Sequence, residues 1–533
     1  MMKTILFLIA ILTYFLSTTR KLQKQLHFLQ LNSYMNNRYV RWLRQNYART
    51  WSVKEFLPVL SLPLLLSDST LLAWLAWSGG YLFLVLRGSS APDKKKLVFT
   101  PRAIRLFVTM LVVCSVFCGV GAWVVISANS LSSKVSVLLV FILINVAPFS
   151  IALVANTLVQ PLEKAINHWY YDDARKRIQQ MPRVQVIGIT GSFGKTSTKT
   201  IVSQMLAEHF HVLMTPESYN TPMGVTKVIR NSLTPVHEMF VVEMGAKQRG
   251  DIRELCDLVS PRFGILTAIG EQHLETFGNL DNITRTKFEL VESLPADGIA
   301  FLNMDNEHIR ELAPLTQVKT VLYGIEAEGL HYAARNIQVS STGSSFEFWT
   351  RNGEHTMFHT KLLGKHAIYN ILAASAVACE LKIDLPAIAA VVRTLTPVAH
   401  RLELKKTSQN ITIIDDAFNS NPVGAHSALE VLQMIEGGKK ILISPGMVEL
   451  GEREYELNKA FGTHAAEVCD DIILVGHQQT RPIQEGLQAA NYAAHSYYVA
   501  KNLQEANQHL WSIVQAGDVV LYENDLPDTY DEG

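Results

Sequence analysis

Residues 188–197 read GITGSFGKTS, so Gly188, Gly191 and Gly194 recur at every third position ahead of Lys195, Thr196 and Ser197. Glycines at this spacing let backbone N–H groups curl around phosphate oxygens at the start of a helix. Lys195 would reach the terminal phosphates of a nucleoside triphosphate, Thr196 would offer its hydroxyl to Mg²⁺, and Ser197 would extend the same polar lip. The run resembles a Walker A loop but departs by one position from the strict spacing, because Ile189 stands where that motif has its first glycine. Two further groups follow strand-like runs: Glu243 closes FVVE and His273 comes after FGILT. Carboxylates and imidazoles beyond the carboxyl ends of parallel strands face a ligand crevice. Both could serve Mg²⁺, and each alone reads equally as a structural residue.

These groups need a scaffold. VQVIGIT before the glycine loop reads as a buried strand, and Val202, Met205 and Leu206 after it mark one face of a helix. Phe240–Met244, Phe263–Thr267 and Ile299–Leu302 repeat the theme, which predicts a mostly parallel sheet covered on both faces. Residues 320–362 shorten into alternating segments, read as antiparallel strands at the sheet edge, and 366–392 are alanine-rich and helical. A second α/β pattern begins near 399, with strands over Ile411–Ile414, Lys440–Ser444, Asp471–Val475 and Val519–Tyr522. The predicted fold class is an α-helical membrane domain followed by α/β: a central P-loop domain with a mostly parallel sheet and a C-terminal Rossmann-like α/β domain. The expected boundaries are 1–160 for the membrane domain, 161–182 for a linker, 183–398 for the central domain and 399–533 for the last.

The membrane expectation rests on about four apolar segments, 3–17, 56–86, 105–128 and 134–157. The first is short enough for a signal peptide, but TTRKLQKQ follows it with no small-residue cleavage site, which favours a retained anchor. The second is broken at Ser67-Asp68-Ser69 and reads as a hairpin, a re-entrant element or one tilted helix. Basic loops before Phe56 and around Lys94–Lys96 then place those loops, and everything after 160, on the cytosolic side of the inner membrane. The expected localisation is multi-pass, with cytosolic catalytic domains and membrane lipids as partners.

Lys and Arg total 48, as do Asp and Glu, so no net field selects nucleic acid as a partner. Five cysteines show no paired metal spacing, in keeping with a reduced setting for the soluble part.

Several runs together resemble the Mur ligase family, in the branch that adds a D-alanyl-D-alanine dipeptide to a muramoyl tripeptide. They are the glycine loop, EMGAKQRGDI at 243–252, AIGEQHLETFGNLDNITRTKFEL at 268–290, LGKHAIYNILAA at 363–374 and DDAFNSNPVGAHSAL at 415–429. The resemblance implies an ADP-forming ligase: ATP phosphorylates a carboxylate, and an amine attacks the acyl phosphate. It implies Thr196 and Glu243 at a first Mg²⁺, His273 at a second, and a carbamylated Lys287 supporting the latter. Phe288 then stands where the family usually has glycine. His366 and Asn370 match the segment at the nucleotide base. Arg401 matches the arginine that opens the last domain, with His400 in the usual glycine position. Asp416 matches the ribose-binding aspartate, with Asp415 and Asn419 in the same loop; adjacent acids there also read as a plain helix cap.

Two departures bear on substrates. A membrane region replaces the family's first, soluble, substrate-holding domain. The last strand leads to Glu523-Asn524-Asp525 where a basic Lys-Gly-Ser element is usual, read either as an acidic tip near the amine or as an exposed tail. The partners expected are a cell-envelope precursor, lipid-linked or polymeric, an amino acid or dipeptide amine donor, and an envelope-synthesis complex. The rival readings are a membrane P-loop ATPase powering transport or assembly and, among ligases, a poly-gamma-glutamate-type synthase.

Overall fold

The computed structural model describes the chain except residues 1, 47–52, 62–69, 87–95, 128–130, 218, 341, 419 and 526–533. It forms two compact units, Met1–His168 and Trp169–Gly533.

The first unit is helical. Met2–Leu31 is one continuous helix, so the apolar run 3–17 is its first half. Asn36–Gln45, Thr70–Leu86 and Pro101–Ser127 follow, then Leu131–Val146 and Pro148–Gln179. The run 134–157, expected as one span, is broken between the last two, which meet at 75°. Pro148 is the cause: its ring lacks an N–H and disfavours helical backbone in the residue before it. The predicted break at Ser67-Asp68-Ser69 lies outside the described residues.

The multi-pass expectation is overturned here. Among the described residues one helical stretch, Pro101–Val120, is long and apolar enough to cross a membrane, and at most two are if the bent pair counts as a single span. Thr70–Leu86 is an apolar helix of only 17 residues, short of the ~20 a span needs. The assignment of loops to two membrane sides, and of the catalytic part to one of them, falls with it. Residues 161–179, expected as a linker, continue the helix Pro148–Gln179.

The second unit holds two sheets. The first has nine strands: β1 (Gln185–Thr190), β2 (Val212–Met214), β3 (Met239–Glu243), β4 (Phe263–Leu266), β5 (Ile299–Asn303), β6 (Lys319–Gly324), β7 (Tyr332–Ser340), β8 (Gly343–Thr350) and β9 (His355–Thr360). Their order is β2-β3-β1-β4-β5-β6-β7-β8-β9, parallel as far as β7 and antiparallel beyond it. The β-branched and aromatic runs of β1, β3 and β4 are almost wholly buried because helices cover both faces. One face packs on Ile201, Val202 and Met205 of the helix Lys195–Ala207 and on Gly364–Glu380; the other packs on Ile283, Leu290 and Val291 of Leu280–Glu292. The helical stretch expected over 366–392 is two helices, Gly364–Glu380 and Leu385–Thr394.

The second sheet has six strands: β10 (Glu403–Lys406), β11 (Thr412–Asp416), β12 (Lys440–Ser444), β13 (Asp471–Val475), β14 (Tyr497–Ala500) and β15 (Val519–Glu523). Its order is β10-β11-β15-β12-β13-β14, parallel except for β10. The order reverses around β15, which puts the carboxyl ends of β11, β15 and β12 side by side, where open α/β sheets bind ligands.

Candidate functional site

The glycine loop leaves β1 and enters the helix Lys195–Ala207 with Gly194 as its N-cap, in left-handed conformation at φ 81°. No side chain caps that end, so its first N–H groups point into the loop. Two glycines are demanded by space. A Cβ on Gly191 would sit 2.0 Å from Thr267 Oγ1, and one on Gly194 would sit 2.9 Å from Asn370 Oδ1. The exit of β4 holds the loop from beneath: Ser192 N–H donates to Ala268 O at 2.7 Å, Thr267 Oγ1 to Phe193 O at 2.6 Å, and Ser192 Oγ to Gly270 O at 2.8 Å. Lys195 Nζ folds over the loop and donates to Gly191 O at 2.7 Å and Ser192 O at 2.9 Å. Burial pulls its ammonium down to about 8, opposed by Glu243 and assisted by Arg401.

Glu243 ends β3 beside β1 and is 2% exposed. Its Oε2 pairs with Lys199 Nζ at 3.1 Å and its Oε1 accepts from Asn220 Nδ2 at 2.9 Å. Burial pushes this carboxyl up, but the Lys199 and Lys195 charges with the Asn220 bond outweigh it and hold it below the usual range. Lys199, 1% exposed, also donates to Glu217 O at 2.6 Å. Neither Lys199 nor Asn220 was expected at the site. The i, i+4 spacing of Lys195 and Lys199 on one helix was the available signal.

Lys287 lies on the helix Leu280–Glu292 and is buried. Burial first, then the Lys195 charge, holds its ammonium far below the usual lysine value. Glu289 on the same helix accepts N–H bonds from Gly250 at 2.9 Å and Arg253 at 3.0 Å, tying this helix to the start of Asp251–Val259. Phe288, which stands where the family usually has glycine, packs into the core on that side of the sheet.

His273 sits in left-handed backbone at φ 54°. Its Nδ1 is 2.5 Å from Glu449 Oε2, and Glu271 pairs with Arg453 alongside. The loop around 271–275 therefore meets the loop 449–453 of the second sheet's domain.

A cavity of about 350 Å³ runs from the glycine loop into that domain. Gly194, Ser197, His366 and Asn370 line it from the first domain, and Arg401, Asp416 and Glu523 from the second. Asn370 Oδ1 accepts from Thr198 Oγ1 at 3.0 Å, which anchors the helix Gly364–Glu380 to the phosphate-loop helix. Phe193 and His366 stand edge to face, with ring centroids 6.1 Å apart, and burial lowers the His366 imidazole. Asn303, Asp305 and Asn306, which sequence reading passed over, line the same cavity. Asp305 is fixed by N–H bonds from Ile325, Glu326 and Ala327 and by Tyr369 Oη at 2.9 Å. The Arg401 guanidinium lies over Phe418, 4.5 Å from its centroid. Burial draws it down against the pull of Asp416, Glu243 and Glu523.

Asp415 and Asp416 divide. Asp415 Oδ2 faces Lys405 at 2.6 Å and His400 at 2.8 Å, while Asp416 lines the cavity. Neither caps the following helix; Asn421 does, accepting from Gly424 N–H at 3.0 Å. His400 adopts φ 60°, the left-handed backbone glycine takes most readily. Asn419 lies outside the described residues. Glu523 and Asn524 are buried while Asp525 is exposed, which corrects the exposed-tail reading for the first two residues. Thr196 is placed at the second position of the phosphate-loop helix. The structure thus brings Lys195, Ser197, Asn370, His366, Arg401 and Asp416 to one cavity or its rim, and Glu243 and Lys287 within electrostatic reach of Lys195.

Residues 189–378 match the Mur ligase middle domain and 400–522 the Mur ligase, glutamate ligase domain. The chain is 32% identical over 301 residues to the UDP-N-acetylmuramoyl-tripeptide–D-alanyl-D-alanine ligase of Bacillus subtilis, covering 55% of this chain and 64% of that protein. It is 31% identical over 302 residues to its Escherichia coli namesake, covering 56% and 66%. The chain thus spans slightly less than two thirds of these relatives' length. Among solved structures, MurF from Acinetobacter baumannii superposes with a TM-score of 0.62 at 25% identity, covering 68% of this chain and 78% of that one. MurF ligase from Thermotoga maritima in complex with ADP gives 0.60 at 25% identity, covering 69% and 82%. By its middle and C-terminal domains, the chain belongs to the Mur ligase family.

Proposed function

We propose that the chain is an ATP-dependent, ADP-forming carboxylate–amine ligase that builds an amide bond on a cell-envelope precursor. The observation that carries this is the uncapped helix start at Lys195 and the ionised, buried Glu243, set at one end of a cavity that two α/β domains line together. The central domain, 183–398, supplies the phosphate end and the domain 399–533 closes over the nucleoside.

Each residue has a task in that reading. The N–H groups from Gly194 onward and Lys195 Nζ receive the phosphates, the lysine leaving the loop carbonyls it now holds. The substrate carboxylate oxygen attacks the γ-phosphorus, the bond to ADP breaks, and Lys195 and Arg401 offset the negative charge as it spreads. The amine nitrogen then bonds to the acyl carbon, the tetrahedral centre collapses, inorganic phosphate leaves and the amine proton passes to solvent. His366 and Asn370 hold the base, and Asp416 the ribose side.

The residues suit Mg²⁺. Glu243 is an ionised carboxylate at a strand end with Thr196 at the adjacent helix start, and Mg²⁺ takes one or two protein oxygens and draws the rest from phosphates and water. When bound, Mg²⁺ neutralises phosphate and carboxylate charge; Thr196 and Glu243 would hold one ion, and His273 with a Lys287 carbamate a second. Lys287 fits carbamylation because burial favours its neutral amine, the form that bonds CO₂ and releases a proton.

The names of the relatives supply the amine and acceptor to test first, D-alanyl-D-alanine and a UDP-muramoyl tripeptide. The helical unit that stands in place of the family's first domain exposes Leu8, Leu12, Val112 and Phe117. An apolar surface of that kind marks a contact with lipid or with another protein of an envelope-synthesis complex. The acceptor favoured here is therefore lipid-linked or polymeric. The deciding experiment gives full-length protein ATP and Mg²⁺ with either the soluble pair or a membrane extract. Mass spectrometry should find a new amide, with ADP and phosphate in proportion, more abundantly in the extract. Efficient ligation of the soluble pair alone would reject the lipid or polymer acceptor. Steady ATP hydrolysis without any amide would reject the ligase.

A further inference from the structure

β11 and β15 are parallel neighbours in register, and each ends on a carboxylic acid at the same level, Asp416 opposite Glu523. Both line the cavity that opens from the glycine loop. Glu523 is 1% exposed, and apart from the facing Asp416 carboxyl its Oε2 has no hydrogen-bond partner. The rest of the residue is held firmly. Ser420 Oγ donates to its Oε1 at 2.5 Å. The next residue, Asn524, donates from Nδ2 to Gly446 O at 2.6 Å and accepts from Ser420 N–H at 3.2 Å. A buried carboxyl oxygen that lacks a donor costs free energy unless a ligand supplies one. Two acids this close oppose each other's ionisation: burial first, then the Asp416 charge and the hydrogen bond the pair shares when one of them is protonated, push the Glu523 carboxyl far up.

A molecule that relieves this pair must bring two adjacent O–H or N–H donors. ATP bound at Lys195 brings a vicinal diol, the 2′- and 3′-hydroxyls of ribose. We infer that Glu523 is a second carboxyl group of the nucleotide site, accepting one ribose hydroxyl while Asp416 accepts the other. The inference rests on the ligase reading only in that a nucleotide occupies this cavity. It makes Glu523 a residue that selects ribonucleotides over deoxyribonucleotides.

The test is nucleotide binding by the full-length protein, measured calorimetrically with Mg²⁺ and ATP, 2′-deoxy-ATP, 3′-deoxy-ATP or inosine triphosphate. Wild type should bind ATP about fivefold or more tighter than either deoxy analogue, the cost of one hydrogen bond to a buried acid pair that shares a proton. Glu523→Ala should abolish one of the two deoxy penalties and keep the other, with the ATP-to-inosine ratio unchanged. If Glu523→Ala does not fold, Ser420→Ala, which frees Oε1, should shrink the same single penalty. Deoxy penalties unchanged in both variants, or absent from wild type, overturn the inference. So does a shift in the inosine ratio instead, which would mean the acid reads the adenine amino group. Failure of wild type to bind ATP at all would sink the ligase reading itself, whereas ATP binding without ribose discrimination sinks only the role of Glu523.

Discussion

His273 and Glu449, 176 positions apart, meet at 2.5 Å between Nδ1 and Oε2, and so join the exit of β4 to the loop that follows β12. The bond leaves His273 Nε2 for another partner, the arrangement in which a carboxylate orients an imidazole toward a metal. Glu449→Gln should therefore reduce kcat by about tenfold to a hundredfold, the usual cost of losing an orienting partner. ADP binding should stay within about twofold, because neither residue lines the cavity proposed to hold the nucleotide. Unchanged kcat would mean that the contact only joins two domains.

Lys195 should behave as a charge and not as a strut. Its two bonds go to carbonyls of its own loop, so Lys195→Ala removes no contact between elements. The variant should unfold at the wild-type urea midpoint while phosphoryl transfer falls by at least about a hundredfold. A shifted midpoint with normal turnover would reverse the assignment.

What could be read in advance, and what could not, divides by distance along the chain. The strands β1, β3, β4 and β5 and the helix after Lys195 announce themselves through local apolar patterning and a glycine loop. Pro148 was equally local, and its break in the last apolar run could have been read from sequence. The i, i+4 spacing puts Lys199 on the same helix face as Lys195, but its pairing with Glu243, 44 positions further along the chain, could not be read. Glu523 is the same case. As a string, Glu-Asn-Asp near the terminus resembles a solvated tail; only the β11–β15 register buries it beside Asp416. Helix and strand come from neighbours in sequence, while a site comes from strand order, which single-sequence patterning does not specify.

The Lys199–Glu243 pair sets a stability test. Both groups are almost fully buried, at 1% and 2% exposure. Lys199→Met would leave Glu243 with Asn220 alone among these two partners, and stranding one member of a buried pair costs about 3–5 kcal/mol. The double variant Lys199→Met with Glu243→Leu should recover much of that loss, since neither member of the pair is then left as a stranded charge. Chemical unfolding of the three proteins measures the coupling. A Lys199→Met variant within about 1 kcal/mol of wild type would show that water or rearrangement already screens the pair.

Lys287 makes the pH prediction. A lysine whose folded value is depressed binds fewer protons folded than unfolded between that value and the ordinary one near 10.4. Stability therefore rises with pH across this window and is lost as pH falls through it. Lys287→Met keeps the apolar stem and abolishes the titration. In CO₂-free buffer it should be more stable than wild type at pH 7, and the gap should close as pH approaches 10. Added bicarbonate changes the comparison for wild type only, because its neutral amine can form the carbamate. Wild type supplied with ¹³C-bicarbonate should then show a carbamate carbon resonance that Lys287→Met lacks. Ligation should collapse in Lys287→Ala and return in part with a small added carboxylate. A buried lysine kept only for packing would give the pH slope without the resonance and without the rescue, so these two readouts, and not the slope, decide its chemical role.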